Sequence, residues 1–447
     1  MRAPIVSLTL APSTTTPPGR LRRILGIGFG LAVTIGSTIG VGILRAPGGV
    51  AGQLQTWGAI LLIWLIGGVY TLLGAVCLTE LGAMVPQAGG YYVYARRAFG
   101  DRVGFAVGWT DWITNCAVLA YVSLGMVEFL SDIFPAIAPY VRPLAIGLLV
   151  GFVVLQWAGI QISRRFQEWA TALKCLAFLA LIIAGLALAG RAPSSTAVLA
   201  APSWKGLAGA LQLVVITYAG WQSALYFTEE DRDTTRNLPR AIIGGLAFVI
   251  VVYLLVNVAL LAILPIADLA QSSQPAALAA QRLIGGGRII TVLSVVSLLP
   301  ILNAIMMVGT RVLFALGRDG MFWSRTAAVN VRGTPDVATV MTTLGAVALI
   351  AAFSFDRLVA IAAIFLAFNY AVCCVALIVL RVREPATPRP FRAWGYPGSA
   401  GIVVLGAVVF LAIGLWGDPV TTRIAVALAA VGVVADVVVH VIGRRAR

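Results

Sequence analysis

Two apolar stretches of this chain are each interrupted at mid-length by small residues. The first interruption is GSTIGVG, Gly36 to Gly42, inside a run from about Ile24 to Leu44. The second is YAGWQS, Tyr218 to Ser223, inside a run from about Leu207 to Thr228. Glycine costs about 1 kcal/mol against alanine in a helix interior. In a bilayer the freed backbone groups find no water, so a paired break implies a bound partner. In the first break Gly36, Gly40 and Gly42 permit unwinding, and Thr38, Ile39, Val41 and Gly42 would present backbone N–H groups. The fragment that follows adds a positive dipole end of about half a charge, which suits a carboxylate. In the second, Tyr218, Ala219 and Gly220 would expose carbonyls at the negative end of a half-helix, which suits an ammonium. Together the breaks describe a clamp for a zwitterion, with Trp221 and Gln222 placed to line it. Plainer readings stand beside these: Gly36 and Gly40 fit a small-xxx-small packing face, and Trp221 fits ordinary bundle packing.

Lys174 is one of two lysines in the chain, with Lys205. If its helix begins near Phe166, Lys174 lies about 12 Å along it at 1.5 Å per residue. That is close to the midplane of a hydrocarbon core about 30 Å thick. Snorkelling strains at that depth, and an intramembrane ionisable residue is a functional candidate by default. Lys174 could carry a proton or supply a fixed ammonium where a metal cation would otherwise sit. Asp111 and Asn115 lie four apart on one face, and Asn303 and Asn369 could point inward. Each serves equally well as a helix–helix hydrogen bond. Glu229 and Glu230 are expected at a solvated helix end near arginines. The sole histidine, His440, falls near the end of the last apolar stretch and is expected at the interface.

The elements that must hold these residues are set by composition. The chain has 447 residues, 60% hydrophobic and 11% charged, with a mean hydropathy of +0.96. That is a polytopic, all-α integral membrane protein. Twelve transmembrane helices are expected, starting near Ile24, Trp57, Arg102, Pro143, Phe166, Leu207, Ala241, Gly287, Val337, Arg357, Gly398 and Arg423. Three connections carry local signals. Glu80 ends the second span before an interfacial helix within Met84 to Gly100, Pro239 restarts the seventh, and a proline-rich link runs from Arg381 to Pro397. The net charge of +15 gathers in tails and loops of one side, among them Arg20, Arg22, Arg23, Arg96, Arg97, Arg164, Arg165, Arg236, Arg240, Arg444 and Arg445. That bias sets both termini in the cytoplasm and directs the basic charge at anionic lipid heads rather than nucleic acid. Cys77, Cys116, Cys175, Cys373 and Cys374 all fall in spans, so no structural disulfide is expected, and no metal or cofactor spacing is present. One histidine is too few for a membrane enzyme's catalytic cluster, and the scattered polar residues give no continuous channel lining. Residues 1–20 read as a disordered cytoplasmic tail rather than a secretory signal. Residues 21–190 and 191–397 form two five-span halves, each opening with a broken helix, and the odd span count inverts the second. Residues 398–447 add two helices and a short cytoplasmic C-terminus.

At these residues the chain resembles the amino acid–polyamine–organocation superfamily, and within it the L-type amino acid transporter branch. The carrying motifs are IGSTIGVGILRAPG, MVPQAGGYYVYARRAFG, YAGWQSALYFTEEDRDTTRNLPRAI, TRVLFALGRDG and REPATPRPFRAWGYP, in order over residues 20 to 400. The resemblance implies a five-plus-five inverted repeat with broken helices one and six and two extra helices. It implies alternating access for amino acids in the plasma or inner membrane, with no catalysis and no cofactor. It carries the substrate carboxylate to Thr38, Ile39, Gly40, Val41 and Gly42, and the amino group to the carbonyls of Ile216, Thr217 and Ala219. Lys174 matches the lysine that stands where sodium-coupled cousins hold a cation, which argues against sodium and leaves protons or exchange. Ile216 replaces an aromatic gate common in relatives, and Gln222 a glutamate or asparagine. No cysteine lies between spans three and four, so no disulfide-linked glycoprotein subunit is expected. Neutral L-amino acids are the expected substrates. The alternatives are a cationic amino acid or polyamine antiporter, in which Asp111 would matter more, and a nutrient sensor on the same fold.

Overall fold

The computed structural model describes residues 21–187 and 203–445. The 1–20 tail, most of the connection before Lys205 and the His440 side chain lie outside the described residues. In chain order the α-helices are α1 (Ile27–Thr38), α2 (Gly42–Leu54), α3 (Trp57–Met84), α4 (Tyr91–Phe99), α5 (Asp101–Ile133), α6 (Val141–Trp157), α7 (Ile160–Ala187) and α8 (Trp204–Thr217). They continue with α9 (Thr234–Pro239), α10 (Gly245–Ile263), α11 (Ile266–Gln271), α12 (Pro275–Ile284), α13 (Arg288–Arg318), α14 (Asp336–Ala352), α15 (Phe355–Arg383), α16 (Gly398–Gly417) and α17 (Pro419–Arg445). Among the described residues there is no β-strand, only one isolated bridge between Leu25 and Asp231.

Eight helices are long and apolar enough to cross a bilayer, and the pair α1 and α2, bent by 43° at its break, makes a ninth if read as one span. The chain is therefore an integral membrane protein. The longest helices carry apolar residues on their outer as well as their inner faces, as lipid-facing helices must. On α7, for example, Leu173, Leu176, Leu179 and Ile183 are exposed, while Lys174, Phe178 and Ile182 are buried. Lipid takes the first face and the bundle takes the second. Side-chain caps satisfy some of the exposed helix ends: Thr56 accepts from Ala59 N at 3.4 Å and Ser203 from Gly206 N at 3.1 Å.

The helix within Met84 to Gly100 runs from Tyr91 to Phe99, and its Tyr91, Tyr92, Tyr94 and Ala95 are buried because it packs between α5 and α15. The connections differ from the sequence expectation in two places. Glu80 does not end a span. α3 continues to Met84, and the buried Glu80 carboxylate takes Arg381 at 2.5 Å, Arg389 at 3.2 Å and the Ala393 N–H at 2.6 Å, which folds the proline-rich link back onto the bundle. Pro239 sits inside a helix that already runs from Thr234, followed by a π turn at Arg240–Gly244.

Glu230 is the largest correction. It is not at a solvated helix end but fully buried, and Arg311 of α13, 1% exposed, grips it through two nitrogens at 2.9 and 3.1 Å. The guanidinium also lies 5.2 Å from the Phe227 ring, whose edge meets Phe29 of α1 at 5.0 Å. Glu229, half-exposed, behaves nearer to expectation, accepting from Arg318 at 2.7 Å and Ala88 N at 2.9 Å. Beside this cluster the chain entering α1 is fastened by backbone bonds, Leu25 N to Glu230 O at 3.0 Å and Arg232 N to Leu25 O at 3.0 Å. Removing one member of a buried ion pair strands the other charge. Glu230→Gln or Arg311→Met is therefore expected to cost about 3–5 kcal/mol of stability, while the double replacement Glu230→Leu with Arg311→Met costs less than either. Thermal unfolding of the purified protein in detergent checks this, and additive single losses would contradict it.

Candidate functional site

The breaks fall where the glycines allow, but they are shorter than the motifs. α1 stays helical through Thr38, and the chain is irregular only from Ile39 to Val41. Gly36 is thus a packing glycine: a Cβ there would collide with Thr171 and Gln167 of α7. The Ile39 N–H still caps the Ile35 carbonyl at 2.9 Å, and the Thr38 hydroxyl bonds back to Thr34 O at 2.7 Å. Among the described residues, no backbone hydrogen bond uses the N–H of Gly40, Val41 or Gly42. These point from the start of α2, where the dipole is positive.

α8 ends at Thr217, and a 3-10 segment, Trp221–Phe227, continues the path. Gly220 joins them at φ +122°, in the region that favours glycine. The Ile216 carbonyl is occupied by Ala219 N at 3.1 Å. The Gly220 carbonyl takes Ser223 N at 3.1 Å, whereas no backbone bond ends on the Tyr218 or Ala219 carbonyl among the described residues. Gln222 does not face open space. Its Oε1 accepts from Gly220 N at 2.9 Å and from Tyr370 of α15 at 3.2 Å, so it braces the turn. Trp221 is buried and stacks on Tyr370 with ring centres 5.8 Å apart.

The two breaks touch. A Cβ on Gly220 would lie 2.9 Å from Thr38 N and collide with the Ser37 carbonyl, and one on Gly42 would lie 3.2 Å from the Thr217 methyl. Tyr253 of α10 bridges them, its hydroxyl lying 2.8 Å from Thr38 O and 3.0 Å from Thr217 O. Sequence reasoning missed Tyr253; its signal was a lone hydroxyl within GLAFVIVVYLLVNVALLAI. An edge contact with Trp64 at 5.6 Å and a tilted contact with Tyr218 at 4.8 Å hold the ring.

Lys174 closes the same region from α7. It is fully buried, so it does not snorkel, and its ammonium donates to Gly36 O at 2.7 Å and Ile39 O at 2.5 Å. The Lys174 Nζ thus stands at the negative end of α1, where the last carbonyls lack helical partners. Beside the break, a small cavity of about 10 Å³, room for about one water, meets Val41, Arg45, Phe129, Gln274, Ile290 and Ser294, with the Arg45 guanidinium 4.6 Å from the Phe129 ring centre.

The remaining in-span polar residues are helix-to-helix contacts. Asn303 of α13 donates to Gln167 at 2.8 Å and to Ser163 O at 3.1 Å, and accepts from Gln156 at 2.9 Å. Asn369 accepts from Thr110 at 3.0 Å. Asp111 accepts from Asn115 at 3.3 Å and from Tyr226 at 2.8 Å.

A membrane bundle built around two touching helix breaks and a buried lysine defines a class of permeation site. The chain belongs to the amino acid permease family, whose model matches residues 31–435, and it moves amino acids across a membrane rather than transforming them. It is 29% identical over 431 residues to the large neutral amino acids transporter small subunit 2 of Mus musculus, covering 92% of this chain and 80% of that one. It is 28% identical to the human Asc-type amino acid transporter 1, covering 84% and 76%, and 27% identical to the b(0,+)-type amino acid transporter 1 of Oryctolagus cuniculus, covering 85% and 80%. These similarities agree with the L-type resemblance of the motifs.

Gly220→Ala is expected to abolish transport while leaving a folded protein, because its methyl cannot fit against the Ser37–Thr38 backbone. Tyr253→Phe removes the one hydroxyl proton shared by the two carbonyls, a bond worth about 1 kcal/mol, and is expected to slow transport severalfold. Rates of labelled amino acid uptake, normalised to monodisperse protein, check both.

Proposed function

We propose that the protein carries neutral L-amino acids across the cell membrane by alternating access, without sodium, by exchange or proton-linked uptake. The contact between the two breaks, bridged by Tyr253, carries this assignment. It sets the break that carries the Val41 and Gly42 N–H groups, with Gly40 beside Tyr253, against the break that carries the Tyr218 and Ala219 carbonyls, complementary ends for a carboxylate and an α-ammonium. Thr38, Ile39 and Gly220 shape the clamp, Thr217 is held by Tyr253, and Gln222 braces the turn. Ile216, 37% exposed, and Trp221 flank the side-chain direction. The relatives named for large neutral amino acids and the absence of an acidic side chain in either break favour neutral substrates.

In this reading the chain forms twelve spans, with residues 21–190 and 191–397 as inverted five-span repeats and 398–447 as an addition. Both termini are cytoplasmic, so the fastened end of α1 is a closed inner gate. The Lys174 ammonium is a fixed cation that orders the end of α1 in place of a metal ion. No disulfide-linked glycoprotein is needed, and substrate and lipid are the partners.

Radiolabelled neutral amino acid uptake into liposomes, with and without internal amino acid and at two external pH values, tests the proposal. Uptake that requires internal amino acid means obligate exchange. Uptake into empty liposomes driven by an inward proton gradient means proton coupling. No flux with any amino acid contradicts the proposal. Replacing sodium with choline is expected to leave the rate unchanged. Lys174→Ala is expected to lose most transport, since two carbonyls at the end of α1 are left without a donor.

A further inference from the structure

Among the described residues, three acidic side chains are buried in the bundle: Glu80, Asp111 and Glu230. Two of them have arginines. Arg381 and Arg389 hold Glu80, and Arg311 holds Glu230. Asp111, 2% exposed, has none. Its Oδ1 accepts from the Tyr226 hydroxyl at 3.0 Å and the Asn115 amide at 3.3 Å, and its Oδ2 from the same hydroxyl at 2.8 Å. Tyr91 of α4 and Cys373 of α15 are the other titratable groups that face it. From α13 the nearest cation is Arg311, engaged by Glu230 and the Met307 carbonyl. From α14, Thr342 turns to Trp112, and from α17 the Leu428 carbonyl turns to Trp109. Among the described residues, no cation bonds to Asp111 from any element packed on α5.

A dry interior does not hold an ionised carboxylate whose only donors are neutral; such a group is retained by carrying a proton. The Tyr226 oxygen, 2.8 Å from Oδ2, can accept that proton's hydrogen bond as readily as its own hydroxyl can donate.

Tyr226 also ties Asp111 to the moving part of the site. It lies in the 3-10 segment that continues α8, five residues after Trp221, and its ring is set against Gly90, where a Cβ would lie 2.6 Å from ring carbons. Tyr91 meets the rings of both Tyr226 and Tyr370 edge-on at 5.8 Å, and Tyr370 stacks on Trp221 and bonds Gln222. The second break and Asp111 therefore share one packed aromatic cluster. A displacement of the 3-10 segment away from α5 would separate the Tyr226 hydroxyl from Asp111.

We propose that Asp111 is a proton-binding site of the transport cycle, occupied while the end beside Leu25 is closed and emptied to water there when the 3-10 segment moves. No covalent bond changes; the proton passes from the carboxyl to water and returns before closure. This rests on the amino acid transport reading above and adds to it the residue that couples protons to the cycle, leaving Lys174 as the fixed cation.

The test is labelled neutral amino acid uptake into liposomes containing amino acid and a pH-sensitive dye, across external pH values spanning neutrality. Wild-type protein is expected to show a rate that varies with pH and a lumenal pH change that accompanies uptake. Asp111→Asn is expected to lose both while still transporting, Asp111→Glu to keep pH dependence at a shifted midpoint, and Tyr226→Phe to shift the midpoint with activity retained. Full pH dependence in Asp111→Asn, or wild-type flux with neither pH dependence nor proton movement, overturns the proposal. If Asp111→Asn does not fold, Tyr226→Phe decides, and an unchanged midpoint overturns it. A wild-type protein with no amino acid flux at any pH overturns instead the transport reading beneath it.

Discussion

A peptide group released from a helix inside a bilayer must find a partner in the protein. The organisation of this molecule follows from how two such releases are answered. At the end of α1 the loose carbonyls of Gly36 and Ile39 are met by the Lys174 ammonium, and the Thr38 carbonyl by Tyr253. At the end of α8 the Thr217 carbonyl takes the same tyrosine. Lys174 and Tyr253 thus answer carbonyls of both ends, while among the described residues the Tyr218 and Ala219 carbonyls and the N–H groups of Gly40 to Gly42 have no backbone partners. Lys174 and Tyr253 are therefore part of the scaffold that makes a broken helix tolerable in lipid, as well as neighbours of the site.

The class of the protein and the place of both breaks were legible in the sequence because apolar length and glycine spacing are local properties. Lys174 was legible for the same reason: a charge in the middle of EWATALKCLAFLALIIAG has few explanations. Tyr253 was not, since one hydroxyl in a long apolar helix says nothing about which carbonyls it reaches. Gln222 was read as a pocket residue, yet it folds back to its own turn, a choice made by Tyr370 nearly 150 residues later. Gly36 was taken into the break, but the nearness of α7 decides its role. Glu230 was misplaced because its partner, Arg311, lies on a helix that no local pattern connects to it. Local signals marked where the chain must yield, and tertiary neighbours decided what each polar atom meets.

The buried charges divide by neighbourhood as well. Glu80 and Glu230 sit toward chain segments that carry arginines and are neutralised by them. Glu80 gathers α3, α15 and the proline-rich link about one carboxylate, which explains how a segment with so many prolines is held against the bundle. Asp111 stands among tyrosines and an asparagine, where hydrogen bonding is available and charge compensation is not. Similar side chains thus serve as a rivet in two places and as an adjustable contact in the third.

The short backbone bridge at Leu25 has a mechanical consequence. It joins the approach to α1 to the residues just after the 3-10 segment, stretches some 200 positions apart in the chain. The same two broken helices are joined again near their middles, where Gly220 rests on Ser37 and Thr38 and one tyrosine holds both. Two rods tied at one end and pinned at mid-length turn as a single lever. Tilting either one transmits torque to the other without any change in length, and the pinned point barely moves. The pinned point coincides with the two breaks, so their spacing is held wherever the rods tilt.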